Sequence, residues 1–190
     1  MTLIAGETYR DFTLLSIDPG LNNTGVTVFS VNLVTREIIS LYSFTIRTDN
    51  QISKLYPHDY MNDRSKKFMV LSPSLMNTFH QYRPDCIVYE TPFFFGAKPM
   101  AFGALSEVVS IIKLAAINFN SQVPVYGLEP TLIKKIVKSR DYKDKEGTRT
   151  ALQVLGFEKY IDLTCLDEHS VDSISVGYAF LKNNDYIGDL

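Results

Sequence analysis

The chain has 190 residues, 45 % apolar and 21 % charged, with 19 Lys and Arg against 21 Asp and Glu for a formal charge of −2. That is the balance of one globular domain, residues 1–190 with 1–11 as an N-terminal extension, and no run of ~18 apolar residues points to a membrane span. Near-zero charge counts against a dedicated nucleic-acid binder unless the basic residues are gathered in one place. Phe12–Ile17 is an apolar run that ends in the turn sequence Asp18-Pro19-Gly20. After Asn22-Asn23-Thr24-Gly25 come Val26–Val34, a polar break at Thr35-Arg36-Glu37, and Ile38–Ile46. Three runs joined by short turns predict an antiparallel meander.

Residues 49–67 are polar and irregular, with Pro57 among them, and lead into a helix from about Arg64 to Tyr82 that Pro84 terminates. Cys86–Tyr89 is a short strand running into Glu90, after which Pro92, Gly96, Pro99 and Gly103 punctuate an aromatic loop. Leu105–Ala116 is helical in pattern, and its polar residues Ser106, Glu107, Ser110 and Lys113 form only a narrow stripe. Such a helix must be covered on more than one side, by the fold or by another subunit. Val123–Tyr126 is a fifth strand. Leu132–Lys138 divides at ~100° per residue into an apolar arc (Leu132, Ile133, Ile136, Val137) and a basic one (Lys134, Lys135, Lys138). A further helix spans Lys145–Leu155, stopped by Gly156. The last begins near Asp167, with Thr164 and Asp167 as a T-x-x-D cap and Val171, Ile174, Tyr178 and Leu181 as its buried face. Strands first, then strands alternating with helices, give an α/β fold with a five-stranded mixed sheet flanked by helices.

The opening MTLIAGETYR lacks the basic and apolar stretches of a secretory signal. Two cysteines are too few for a disulfide framework or a zinc cluster, so Cys86 and Cys165 read as buried thiols in a reducing, cytoplasmic setting. His58 and His80 read as surface or packing residues, and Lys54, Arg64, Lys66 and Lys67 as surface charge.

Acidic and ligating groups stand at three element ends. Asp18 closes the first strand, Glu90 closes the fourth, and His169 and Asp172 share a helix face at i, i+3. Each alone has an ordinary explanation as a turn, strand-end or helix-start residue. Together they make an oxygen-rich set with one imidazole, which suits Mg²⁺ or Mn²⁺, ions that hydrolytic enzymes use in pairs on phosphodiesters.

The run Ser16-Ile17-Asp18-Pro19-Gly20-Leu21-Asn22-Asn23-Thr24-Gly25 resembles the first motif of the RuvC-type Holliday junction resolvases. Ile46-Arg47-Thr48, then Arg83-Pro84-Asp85-Cys86-Ile87-Val88-Tyr89-Glu90, look like the next segments of that family. Glu168-His169-Ser170-Val171-Asp172-Ser173-Ile174 looks like its C-terminal motif. The motif order matches over roughly residues 12–182. The resemblance implies a ribonuclease-H-like fold, a homodimer and metal-dependent nicking of four-way DNA junctions in recombination and repair. Asp18, Glu90, His169 and Asp172 would then be the catalytic metal ligands for two Mg²⁺ ions, with Mn²⁺ able to substitute and Asp18 bridging both. Phe93 matches the aromatic that stacks on or wedges open bases at the junction; core or dimer packing is its other reading. Lys134 and Lys145 fall where the family touches DNA backbone.

The charge distribution agrees. Between Thr131 and Thr150 stand seven basic residues, including Arg140, Lys143 and Arg149, against three acids, a local +4; from Glu158 onward two basic residues face seven acids, a local −5. Lys134, Lys135, Lys138 and Lys145 therefore read as a DNA-binding stripe. Three other readings share part of the pattern: a broader branched-DNA or RNA-processing nuclease of the same fold, an actin-like ATPase or sugar kinase, and a binding module without activity. The second lacks a second Asp-x-Gly phosphate loop and leaves Glu90, His169 and Asp172 unused.

Overall fold

The computed structural model describes residues 11–49, 61–93, 99–139, 142 and 147–188. The meander forms as the alternation demands. β1 (Phe12–Asp18), β2 (Asn23–Asn32) and β3 (Glu37–Arg47) pair antiparallel, with Asp18 opposite Gly25 and Gly25 opposite Thr45. β4 (Cys86–Glu90) joins β1 in parallel and β5 (Val125–Leu128) joins β4 in parallel, for the order β3-β2-β1-β4-β5. The sheet is therefore mixed and five-stranded, with β1 at its centre.

Two cores follow from the pleat, because successive side chains leave a strand on opposite faces. On one face Leu15, Ile17, Val26 and Ile87 meet Leu71, Leu75 and Phe79 of α1 (Asp63–Tyr82) and Val108 and Ile112 of α2 (Pro99–Phe119). On the other, Leu14, Phe29 and Val88 meet α5 (Glu168–Asn183), backed by Ile133 and Val137 of α3 (Pro130–Val137) and Leu152 of α4 (Gly147–Val154). Helix α5 is buried almost all round: Val176 and Ala179 are as inaccessible as the expected Ile174 and Leu181. The sequence pattern indicates a single buried face, but α3 and α4 cover the side that the sheet does not.

Several boundaries move for identifiable reasons. β2 stops at Asn32, whose side-chain carbonyl accepts from the backbone N–H groups of Val34 and Thr35, so the last two expected strand residues form the turn instead. β5 starts two residues late because Pro124 has no N–H to give a ladder; its carbonyl still accepts from Ile87. Pro99 opens α2 rather than interrupting a loop, a position where a missing N–H costs nothing. Asp167 caps α5 alone, its Oδ1 accepting from the N–H of Ser170 at 2.9 Å. Thr164 takes no part in that cap: it sits in a short 3₁₀ turn and bonds Asp162. Cys165 in the same turn is exposed, against expectation, whereas Cys86 is buried and its thiol is pushed up to about 12 by that burial. Lys66, expected on the surface, is only 6 % exposed. His58 and Lys54 lie outside the described residues.

Helix α2 carries a second difference. By length and composition Met100–Phe119 reaches what a membrane span requires, with a mean hydropathy of 1.8. Its Val108, Ile112, Ala115 and Ala116 are nevertheless spent on the core with α1, and its outward face shows Met100, Leu114 and Ile117, the last two 59 % exposed.

The tightest approach in the fold is that of α5 to the meander. A Cβ at Gly25 would collide with the backbone carbonyl of His169, and one at Gly177 with the Phe29 ring and the Ser16 hydroxyl. Gly25→Ala forces backbone apart rather than a flexible side chain, and overpacking of this kind costs about 1–3 kcal/mol. A thermal melt should show a midpoint lowered by roughly 3–10 °C.

Candidate functional site at the C-terminal edge of the central strands

Asp18 lies on the same face of β1 as Ser16 and Leu14, two and four residues back, and so points to the α5 side. Pairing of Ile17 with Tyr89 brings the next residue of each strand together, Asp18 beside Glu90, and Glu90 shares its face with Cys86 and Val88. Helix α5 begins above that edge. Its first two turns present His169 and Asp172, and the Nδ1 of His169 stands 3.0 Å from Oδ2 of Asp18. The Asp172 carboxyl is hydrogen-bonded by Thr148 of α4.

A cleft of about 410 Å³ is lined by Asp18, Glu90, Thr148, Glu168, Asp172 and Lys134. It adjoins a second, of about 490 Å³, in which Asp18, Glu90 and Lys134 are joined by Thr91, Phe93, Leu105 and Thr131. The expected set Asp18, Glu90, His169 and Asp172 is thus brought to one place from β1, β4 and α5, with Lys134 of α3 lining the same clefts. Phe93 is 55 % exposed on the rim, so it is not a core residue of this chain. Lys135 and Lys138 are exposed on α3 and line neither cleft, while Lys145, Arg140 and Lys143 lie outside the described residues. Arg149, counted in the basic stripe, is a brace: its guanidinium donates to the carbonyls of Leu163 and Leu166, tying α4 to the turn ahead of α5.

Crowded carboxylates shape the electrostatics. Burial first, then the neighbouring Asp18 and Asp172, push Glu90 up to about 7, with Lys134 pulling the other way. Burial and Asp18 push Asp172 to about 6. Asp18 is raised by burial, against the pull of His169, whose own basicity is raised by its hydrogen bond to Asp18. Among the described residues, no three His, Cys, Asp or Glu side chains converge closely enough to hold one ion as they stand. The donor chemistry does fit a hard divalent cation: carboxylate oxygens dominate, one imidazole is present, and Lys134 and His169 offset the carboxylates' repulsion only in part, since Glu90 and Asp172 remain raised.

Some residues at this edge carry no sequence signal. Glu168 was visible only as part of the last motif, and Thr148 offers nothing in periodicity to mark it. The turn after Asp18 is held from outside: Thr48 donates its hydroxyl to the Leu21 carbonyl at 2.9 Å, and Lys67 of α1 reaches Asn22 Oδ1 at 2.6 Å and Asp49 at 2.7 Å. Lys67 is therefore a cross-brace and not merely surface charge.

No protein-family model matches this chain, and no curated protein matches it significantly. Solved structures do. Thermus thermophilus RuvC in complex with a Holliday junction substrate aligns with a TM-score of 0.67 at 15 % identity, over 92 % of this chain and 96 % of that one. The fold is that of the RuvC-type resolvases. Yeast mitochondrial Holliday junction resolvase Ydc2 aligns at 0.65 with 14 % identity, over 95 % of this chain and 82 % of its own. The fowlpox virus resolvase with its Holliday junction DNA aligns at 0.52 with 15 % identity, over 91 % and 99 %. The ribonuclease-H-like, mixed-sheet architecture implied by the motifs is thus the observed one, and the resolvase fold spans nearly all of the chain.

A raised carboxyl has a consequence for stability that needs no ligand. Folded Glu90 keeps its proton up to about pH 7, against 4.5 for an ordinary glutamate. Between those values the native state binds more protons than the unfolded one, so stability falls as pH rises through this window. Glu90→Gln should therefore raise the melting temperature of the metal-free protein by about 2–4 °C at pH 8 and change it little at pH 4.5.

Proposed function

We propose that this chain is a structure-selective DNA endonuclease that resolves four-way junctions by metal-dependent phosphodiester hydrolysis. The observation that carries the reading is the meeting of Asp18, Glu90, His169 and Asp172 at one sheet edge, in a fold whose similar structures include two complexes with junction DNA. Those four side chains would hold a pair of Mg²⁺ ions, or Mn²⁺ in their place, with Asp18 central to both. Bound there, divalent ions would supply an activated water and stabilise the departing 3′ oxygen, leaving a 5′-phosphate and a 3′-hydroxyl.

The protein's own groups do the placing. His169 holds Asp18 through its 3.0 Å hydrogen bond and Thr148 holds Asp172, so two carboxylates keep fixed directions. Lys134, which lines both clefts together with Asp18 and Glu90, would meet a phosphate that the acids would otherwise repel. Phe93, more than half exposed, would stack on a base opened at the branch, an interaction worth about 1–3 kcal/mol per base. Lys135, Lys138 and Lys145 would extend the contact along the backbone. A homodimer supplies two symmetry-related sites for two equivalent strands, and the outward face of α2 with Met100, Leu114 and Ile117 is the surface we assign to it.

The test is cleavage of a labelled synthetic four-way junction beside linear duplex, flap and RNA–DNA hybrid, in Mg²⁺ and Mn²⁺ separately. Paired symmetric nicks confined to the junction are expected. Equal cutting of flaps or hybrids would replace the resolvase by a broader nuclease with the same site, and ATP hydrolysis with no metal-dependent cutting would overturn the enzyme class. Asp18→Asn should abolish cutting while leaving junction binding within about twofold, since it removes a ligand and no DNA contact. Lys134→Ala should weaken junction binding and reduce the slope of log affinity against log salt by about one unit.

A further inference from the structure

Rows of side chains cross the α5 side of the sheet in register. The outermost is Asp18, Gly25 and Thr45; two rows further in is Leu14, Phe29 and Leu41. Between them lies Ser16, Thr27 and Ser43, a row of hydroxyls where an apolar core would be expected, all at most 6 % exposed. Each finds a partner on α5. Ser16 donates to the Ser173 carbonyl at 2.7 Å, and Ser43 to the Ser170 carbonyl at 3.0 Å. Thr27 sits between, its Oγ1 2.6 Å from the hydroxyl of Ser173 and 2.8 Å from that of Ser43. At the outer end Thr45 donates to Asp167 at 2.6 Å and stands 2.9 Å from the Ser170 hydroxyl, while Arg47 donates to the other Asp167 oxygen at 2.9 Å. Against its burial, which acts to raise it, these donors hold the Asp167 carboxyl well below the usual carboxylate range.

The helix positions alternate in purpose. Asp167, Ser170 and Ser173, three residues apart, face the sheet; of the residues one before each seam serine, Asp172 lines the cleft and His169 meets Asp18. Apolar contacts are non-directional, so a greasy interface lets a helix slide or roll by a fraction of a turn at little cost. Buried hydroxyls in reciprocal bonds do not, because any shift leaves several of them unpaired. The glycines at Gly25 and Gly177 add a steric stop that sets how close the helix comes.

From this we infer that the hydroxyl seam of Ser16, Thr27 and Ser43, closed by Thr45 and Asp167, is a positioning device: it sets the depth and rotation at which α5 presents His169 and Asp172 to Asp18 and Glu90. The inference rests on reading that edge as a divalent-cation site. Thr27 touches neither the cleft nor the DNA surface assigned above, so it is a positioning residue, and its effect is separable from plain stability.

The experiment compares Thr27→Val, which keeps the shape and removes the hydroxyl, with Thr27→Ser, which keeps the hydroxyl. Ile112→Val in the other core serves as a variant that loses packing without touching the seam. Mn²⁺ binding is read from the loss of the free-ion paramagnetic resonance signal, alongside the Mg²⁺ concentration for half-maximal junction cutting. Thr27→Val should weaken Mn²⁺ binding and raise the Mg²⁺ requirement, each by about tenfold, the scale of lost support behind a metal ligand. Thr27→Ser and Ile112→Val should stay within about twofold of the parent, and junction binding in chelator should be unchanged throughout. A Thr27→Val protein that melts lower but binds Mn²⁺ like the parent overturns the inference. Should that variant fail to fold, Ser43→Ala is read in the same way. A parent protein that binds Mn²⁺ but cuts nothing removes the nuclease reading and leaves the seam open to measurement; one that binds no Mn²⁺ overturns both.

Discussion

Everything at the candidate site depends on how closely α5 lies against the antiparallel meander. Two glycines permit the approach, Gly25 under the His169 carbonyl and Gly177 under Phe29. Once the helix is down, its second half is enclosed by aromatic and aliphatic groups, Phe157 standing edge-on to Tyr178 and Phe180 beside Tyr126. The first half meets hydroxyls and a clamped carboxylate instead. The helix is thus anchored by a directionless apolar core at one end and by directional bonds at the other, and the directional end is the one that carries His169 and Asp172.

That division matches the electrostatic load. Asp18, Glu90 and Asp172 are forced together at the end of buried strands and helices, and each is pushed towards its neutral form by burial. Holding like charges at short range costs stability, and the rest of the edge supplies restraint. Thr48 and Lys67 pin the turn after Asp18, Arg149 ties α4 to the carbonyls ahead of α5, and Arg47 with Thr45 fixes Asp167. Of these braces, Arg149 also lines the cleft that holds Asp18, Glu90 and Asp172.

The two faces of the sheet serve different ends. The α5 face carries the acids. The other face seats α1 and α2, and α2 is apolar on more sides than the fold consumes, with Leu114 and Ile117 facing outward. A helix buried on one side and apolar on the other is costly to leave in water, which is why the same sequence feature reads as core helix, membrane-like segment and subunit interface at once. Its packing against α1 and the sheet accounts for the inner half only.

The sequence by itself determined the element order, the mixed five-stranded sheet and the strand ends at Asp18 and Glu90, because alternation, turn residues and helix period are local properties of a chain. Motif order alone also named His169 and Asp172 as companions of those acids. It did not determine that Arg149 and Lys67 would be braces and Lys134 the cation on the wall, since a basic residue looks the same in a pattern whichever carbonyl or carboxylate it meets. Nor could it place Thr148 beside Asp172, or find that Ser16, Thr27 and Ser43 stand in one row, each drawn from a different strand and scattered over 28 residues. Those relations are set by strand register and by the contact of α5 with the sheet. Both are long-range choices that become definite only when the whole core closes, because register decides which hydroxyl faces which.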